Sequence, residues 1–260
     1  AIPANDGWAA TSTSALPYGT IGGSLAASDR VFTVRNRNEL FAALTASGST
    51  PRIIQIAGTI DANVDDNGTS LRCEDYYRAD AASGEMYSLE KFLAAYDPVT
   101  WGRVPPAGPQ EEARKVSAAA QSARIRTRIP TNTTIVGLGA DARIIGAWFD
   151  IRPGSGNNNA AANVIIRNIT FEDVADCFPA WDPADGSAGN WNSLYDAISV
   201  RNATHVWIDH NTFRDRATRD ERLPTYFGRL YQVHDGHVDI TNASDYVTVS
   251  WNRILDHDKV

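Results

Sequence analysis

Three stretches of nine residues decide the fold: Asn163–Phe171 (NVIIRNITF), His205–Phe213 (HVWIDHNTF) and Tyr246–Ile254 (YVTVSWNRI). They align position by position, with apolar residues at the second, fourth and ninth places. The equivalent valines Val164, Val206 and Val247 stand 42 and then 41 residues apart, and matching Ile135 to Val164 extends the series by an interval of 29. Related segments precede two of the repeats, Ile198–Thr204 (ISVRNAT) and Val238–Ser244 (VDITNAS). A strand core that holds constant while its period varies is the pattern of a solenoid with loop insertions. Asn202 and Asn242 fall between paired strands, where sharp corners need left-handed backbone or local side-chain hydrogen bonds. The expected fold is all-β: a right-handed, single-stranded parallel β-helix with loop insertions and a few short helices. A Greek-key sandwich is the competing reading. It would place Asn-Gly or Asp-Gly hairpin turns between adjacent strands, and these are scarce.

Outward from the repeats, everything after Pro130 reads as short strands. Thr134–Gly137, Ala142–Ile145, Asn163–Ile166, Ala197–Val200, His205–Ile208, Val238–Ile240 and Tyr246–Val249 are separated by Gly, Asn and Asp rather than by helices. That excludes a βαβ architecture for this half. Before Pro130, residues 1–30 form a loop-rich lead-in and Asn38–Ala46 a short helix with an N-cap. Arg52–Ile60 alternates as a strand. Asp61–Pro109 is a long insertion with one helical piece near Leu89–Ala95. Gln110–Ala123 is the strongest helix, with acidic residues in its first turn. We therefore expect one domain over 1–260, with lead-in and helical insertions over 1–130 and regular coils over 131–260.

Composition narrows the function. A net charge of −7 disfavours a nucleic-acid partner, which wants a basic face. No run of 18 apolar residues is present to span a membrane. Lysine is rare, at Lys91, Lys115 and Lys259 only, and all five histidines lie between His205 and His257. Cys73 and Cys177 form no zinc pattern; the sequence is equally that of one long-range bridge or of two buried thiols. The opening Ala1-Ile2-Pro3 has no charged or apolar leader, which reads as a mature product.

Acidic residues repeat with the coils. Asp196 precedes one strand, and Asp235 and Asp239 bracket the equivalent strand a coil later. Coils stack about 4.7–4.9 Å apart, so the three carboxylates are brought close and repel unless a cation sits among them. Hard oxygen ligands point to calcium or magnesium, and a flexible surface site to calcium. The same spacing also suits solvated strand-end aspartates. Residues four apart in a straight strand are about 13 Å apart, so Asp235-Gly236 must bend if both carboxylates serve one ion. His234, His237 and His257 form a weaker zinc candidate, because their spacing belongs to helices. Asp209-His210 looks like a catalytic pair, but neighbours on a strand point to opposite faces. Arg214–Arg222 (RDRATRDER) reads as a solvated loop.

Taken together, Trp207–His210 (WIDH), Asp235-Gly236 with Asp239, and Asp256–Lys259 (DHDK) resemble the calcium-dependent pectate lyases, which are parallel β-helix polysaccharide lyases. The likeness extends through Tyr96–Gly102, Gln110–Arg114, Asn132–Gly137 and Trp181–Pro183. It covers residues 90–260 strongly and the first 90 weakly. The resemblance implies that Asp196, Asp235 and Asp239 are the primary Ca2+ ligands and that Lys259 contacts the substrate carboxylate. It also implies further calcium near Asp182 and Asp185 when substrate is bound, and places WIDH away from the cleft. The implied chemistry is β-elimination on polygalacturonate (pectate), giving 4,5-unsaturated oligogalacturonides, by a secreted monomer acting on plant cell walls. A calcium-independent pectin lyase is disfavoured, since such relatives lack the aspartate trio. A non-catalytic calcium-dependent pectate-binding protein, or an inactive lyase fragment, is the alternative.

The family's base is an arginine in an R-x-P-R-x-R stretch beyond the DHDK lysine. Arg214, Arg216, Arg219, Arg222 and Arg229 do not match it. The expectation is that the 260 residues are part of a longer lyase whose C-terminal coils lie on a second fragment or outside this chain.

Overall fold

A computed structural model describes residues 6–46, 48–154, 160–217 and 219–259. In chain order the strands are β1 (Val31–Val34), β2 (Arg52–Ile56), β3 (Thr59–Asp61), β4 (Arg126–Ile129), β5 (Thr133–Gly137), β6 (Arg143–Ile145), β7 (Trp148–Ile151), β8 (Ala161–Arg167) and β9 (Thr170–Glu172). A small hairpin follows, β10 (Ala180–Asp182) and β11 (Asn190–Asn192), then β12 (Ile198–Arg201), β13 (Ala203–Asp209) and β14 (Thr212–Arg214). A second hairpin, β15 (Thr225–Tyr226) and β16 (Arg229–Leu230), precedes β17 (Val238–Thr241), β18 (Asp245–Ser250) and β19 (Arg253–Leu255). The helices are α1 (Arg37–Thr45), α2 (Leu89–Ala95), α3 (Pro98–Trp101) and α4 (Pro109–Ile125).

Among the described residues three parallel sheets carry the fold, in the orders β1-β2-β5-β8-β13-β18, β17-β12-β7-β4 and β19-β14-β9-β6-β3. Successive coils give one strand to each sheet, so the chain spirals as a parallel β-helix. Register explains why the repeat was visible. Val206 pairs with Val164 on one side and Val247 on the other, and the ninth-place residues Phe171, Phe213 and Ile254 line up likewise. Inside, Ile54, Ile135, Ile166 and Ile208 form a continuous buried ladder. The Phe171 and Phe213 rings stack at 5.2 Å. Each of these side chains removes a full apolar surface from water, worth about 1.5–3 kcal/mol.

Corners are set by left-handed residues. Asn132, Asn163, His205 and Tyr246 have φ of 59°, 63°, 56° and 51°, and Asn168, His210 and Trp251 repeat the geometry at the next corner. Asn202 and Asn242 also adopt it, as their placement between strands predicts. Asn211 ties its corner: its Nδ2 donates to the Ile166 carbonyl and to Asn252 Oδ1, while its Oδ1 accepts from Ile169 N–H.

The structure corrects the reading at three points. Arg52–Ile60 is not one strand: Gly58, at φ 83°, turns the chain so that β2 and β3 join different sheets. Val164 faces Thr133 rather than Ile135, which pairs with Ile166. Finally, stacked strands begin at β1, well before residue 131.

The insertion between β3 and β4 builds a second, aromatic core against the coil loops, containing Tyr87, Phe92, Tyr96, Phe178, Trp181 and Trp191. In α4, Arg114 forks onto Glu111 and donates to the Phe178 carbonyl, fixing the helix to the loop. A Cys73–Cys177 disulfide joins insertion and loop across 104 residues, deciding the pairing that the sequence left open. The lead-in is a strap over the six-stranded sheet: Trp8 stacks on Tyr246, and Ala9 packs with Ile165 and Trp207.

Candidate functional site

On the outer face of the β4-β7-β12-β17 sheet, Asp239, Ser199, Asp150 and Arg128 are in register on successive strands. They alternate with Ile198, Val200, Phe149 and Ile151, which are buried in the core. Asp239 is thus on the surface of the helix beside the start of β12, where Asp196 ends its loop. Asp196 is buried at 5% exposure. Ser199 Oγ donates to Asp196 Oδ2 and itself accepts from Trp148 Nε1 at 2.6 Å, so that oxygen is satisfied. Among the described residues no donor meets Asp196 Oδ1 in hydrogen-bond geometry, although the Gly236 N–H is near enough to favour the charged carboxylate. A buried carboxylate oxygen left without a donor costs on the order of 1–3 kcal/mol, more if charged, unless a cation takes it.

Gly236 marks the place for one. A Cβ there would lie 2.9 Å from Asp239 Oδ1 and 3.4 Å from Asp196 Oδ1, so both oxygens look into the space that the missing side chain leaves. Asp235 and Gly236 precede β17 and belong to no strand, so the straight-strand separation does not apply to Asp235 and Asp239; the bend before β17 falls at His237. Burial pushes the Asp196 carboxyl up to about 7, with the charges of Asp239 and Asp235 adding to the rise and the Ser199 hydroxyl opposing it. Asp239 is raised by burial and then by Asp235, with Lys259 opposing. Lys259 Nζ is 3.1 Å from Asp235 Oδ1. The Asp196 and Asp239 oxygens that face the side-chain-free wedge at Gly236 could receive a hard divalent cation, with Asp235, now held by Lys259, adding its charge beside them.

Next to this group, His257 and His234 of the weaker zinc candidate join a buried network with Asp215 and Asp220, which the sequence reading left in a solvated loop. His257 donates from Nδ1 to Asp215 at 2.6 Å and from Nε2 to the Asp235 carbonyl at 2.7 Å. The Asp235 carbonyl can only accept, so Nε2 carries a proton, and the Asp215 carboxylate favours a second proton, and with it a positive charge, on the ring. Burial works against that charge, but the hydrogen bond and charge of Asp215 outweigh it and raise the imidazole. His234 Nδ1 donates to Asp220 Oδ1, and the Asp258 amide donates to Asp220 Oδ2. Asp215 and Asp220 therefore tie the backbone beside Asp235 to the backbone beside Lys259. Each is 1% exposed, which corrects the solvated-loop reading of Arg214–Arg222 at its two aspartates; among the described residues of that run Arg216, Ala217, Glu221 and Arg222 are exposed, as that reading expects. One ligand atom from each of Asp215, Asp220, His234 and His257 lies within 4.8 Å of the others. Two hydrogen-bonded pairs, His257–Asp215 and His234–Asp220, make up that cluster, and among the described residues His234 Nε2 has no hydrogen-bond partner.

Asp209 and His210 do meet, with Nδ1 2.8 Å from Asp209 Oδ2. The strand ends at Asp209 and the left-handed corner at His210 breaks the alternation on which the opposite-face expectation rested. Asp209 also accepts from Ser250 and pairs with Arg167, a structural set on a different sheet from the aspartate trio.

Comparison with known proteins follows the same lines. The sequence profile described as pectate lyase matches residues 109–260. A Bacillus subtilis pectate lyase is 51% identical over 259 residues, covering 99% of this chain and 57% of that protein. The chain belongs to the pectate lyase family. Pectate lyase D of Dickeya chrysanthemi is 31% identical, covering 98% of this chain and 49% of that protein. The chain thus spans about half the length of these curated pectate lyases. Among solved structures, a pectate lyase bound to hexasaccharide superposes with a TM-score of 0.89 at 50% identity, covering 98% of this chain and 60% of that one. A pectate lyase from Acidovorax avenae gives a TM-score of 0.87 at 38% identity, covering 97% and 57%.

Other residues that the pectate lyase resemblance brought into question belong to elements outside the sheet that carries Asp239. Asp182, at the end of β10, and Asp185 are exposed on a turn. The Pro183, Gly186 and Ser187 carbonyls of that turn accept from the Arg103 guanidinium. Arg214 is paired with Glu172, Arg219 with Asp256 and Glu221, and Arg229 donates to the Gly189 carbonyl.

Proposed function

We propose that this pectate lyase family member binds calcium through Asp196, Asp235 and Asp239 and serves a lyase that cleaves polygalacturonate by β-elimination to 4,5-unsaturated oligogalacturonides. The observation that carries the reading is Asp196 Oδ1, which no donor of the described residues meets in hydrogen-bond geometry, facing Asp239 Oδ1 across Gly236. Bound calcium supplies a positive charge that receives the uronate carboxylate and acidifies the proton at C5. Lys259 presents its ammonium beside Asp235 and offers donors to the same carboxylate, favouring the enolate-like charge that develops. Asp215 and Asp220, through His257 and His234, hold the Asp235 and Lys259 segments at fixed separation. The arginines paired above are poor bases, since a guanidinium held by a carboxylate keeps its proton. The proton-abstracting arginine of the family is assigned to none of them.

The proposal includes action as a secreted monomer, in keeping with the Cys73–Cys177 bridge, which persists in oxidising surroundings. It also includes the secondary calcium near Asp182 and Asp185, a single domain over the chain, and completion by C-terminal coils of the same lyase. The test is retention on pectate gel together with absorbance of the unsaturated product, each with calcium and with chelator. Retention lost on chelation supports the calcium reading, and product formed equally in chelator would overturn it.

A further inference from the structure

Two strands along the same outer face, the sheet carries a charge arrangement that the reaction does not use. Asp150 is completely buried and accepts from three arginines: Arg126 Nε at 2.7 Å, Arg152 Nε at 2.6 Å, and Arg201 Nε at 3.0 Å with a second Arg201 nitrogen at 2.6 Å. The arginine side chains are not buried; they are 29%, 37% and 30% exposed. The anion is hidden while the cations reach solvent, so the surface sees an excess of two positive charges on a protein of net charge −7. Arg128 sits beside Asp150 in the ladder. One bidentate arginine would satisfy Asp150, and each further guanidinium adds repulsion. Trp148 holds two of them in fixed planes, with its ring 4.4 Å from Arg126 and 5.7 Å from Arg201. Preorganised guanidinium edges of this kind match the planar fork of a carboxylate.

Position gives the ligand. Asp150 aligns with Ser199, which aligns with Asp239, so the cluster lies two strands, about 10 Å, from the aspartate trio on the same face. We propose that Arg126, Arg152 and Arg201 form an anion subsite that binds a carboxylate of a polyuronate chain a few sugar residues from the reacting one. The proposal rests on the reading of the trio as the calcium centre of a polygalacturonate lyase. The subsite recognises chain length and free acid groups, while the trio and Lys259 serve the reacting residue.

The test is calcium-dependent binding of oligogalacturonates of increasing length, two to six residues, to the wild type and to Arg152→Gln. Asp150 keeps Arg126 and Arg201 in that variant, so the fold is retained; Arg152→Lys, which keeps the charge, is the second variant. The wild type should gain affinity with length. Arg152→Gln should bind the hexamer about tenfold more weakly, the loss of one charge-assisted contact, with dimer binding and calcium affinity unchanged. Arg152→Lys should recover part of the loss, and a fully methyl-esterified hexamer should not distinguish the proteins. A wild type that gains affinity with length while Arg152→Gln matches it at every length would overturn the subsite alone. A wild type that binds no oligogalacturonate with calcium would overturn the functional reading beneath it.

Discussion

Replacing Gly236 by alanine tests the metal centre without removing a charge. Gly236 is not in the left-handed region, so alanine brings no backbone strain. Its methyl carbon would sit 2.9 Å from Asp239 Oδ1, and that carboxylate, at the tip of a half-buried side chain, can swing aside. Loss of unfolded-chain entropy on Gly→Ala contributes about 0.4–1 kcal/mol in the opposite direction, so metal-free stability should stay within about 1 kcal/mol of wild type. The methyl fills the wedge between the two oxygens that would share the ion. We expect a loss in calcium affinity of at least about a hundredfold, equivalent to about 2.7 kcal/mol. Thermal unfolding reads it directly. At calcium one hundred times the wild-type Kd, binding stabilises the wild type by about 2.7 kcal/mol. A chain of this size gains about 2–4 °C per kcal/mol, hence a rise of roughly 5–10 °C. The variant at the same concentration gains about 0.4 kcal/mol and rises by about 1 °C. An alanine variant that keeps the full calcium-dependent rise would show that the wedge is not where the ion sits.

Three further outcomes are expected. Replacing Cys73 and Cys177 by serine removes a bridge across 104 residues and should lower stability by about 4 kcal/mol, seen as an earlier urea midpoint; an unchanged midpoint would show that the bridge does not form. Asn211→Ala leaves the Ile169 amide and Ile166 carbonyl without their side-chain partner and should cost about 2–3 kcal/mol by the same measurement, whereas a cost under about 0.5 kcal/mol would deny the corner any weight. Asp176, fully buried, has its carboxyl pushed up to about 6 by burial, so the folded state binds a proton that the unfolded state releases near the ordinary value of 3.8. Its contribution should make stability fall by about 2 kcal/mol as pH rises from 4 to 6, and that slope should vanish in Asp176→Asn; an identical slope in the variant would count against the burial argument.

The repeats were legible because residues at equivalent depth must face the same interior: Val164, Val206 and Val247 have no freedom to differ in polarity. The closeness of Asp196 and Asp239 was legible for the same reason, since register places Ser199 beside Asp239 and brings Asp196 with it. The earlier coil was misaligned by two residues because the guide was an apolar match, Ile135 to Val164. The corner residues Asn132 and Asn163, which bond one another at 2.7 Å, hold the true register. Corners at His205, Tyr246 and Trp251 use residue types that carry no turn signal, and ring stacking between coils compensates for their strained backbone. Asp215 and Asp220 were hidden among arginines, and composition cannot tell a buried carboxylate from a solvated one. The Asp150 cluster draws on strands β4, β7 and β12 and the residue after β7, and no local spacing betrays it.

Pairing coil upon coil also has a consequence in time. Val206 finds its partners 42 residues back and 41 ahead, and no two successive strands of the large sheet can close as a hairpin. Each rung therefore waits for a long excursion of chain to return, which makes the approach to the native state slow. If the transition state lacks the outer rungs and the cross-coil bridge, the reverse journey is slow too. Endurance of the folded molecule is then best described by a half-life rather than by an equilibrium midpoint, a form of durability suited to surroundings where an unfolded chain is not rescued.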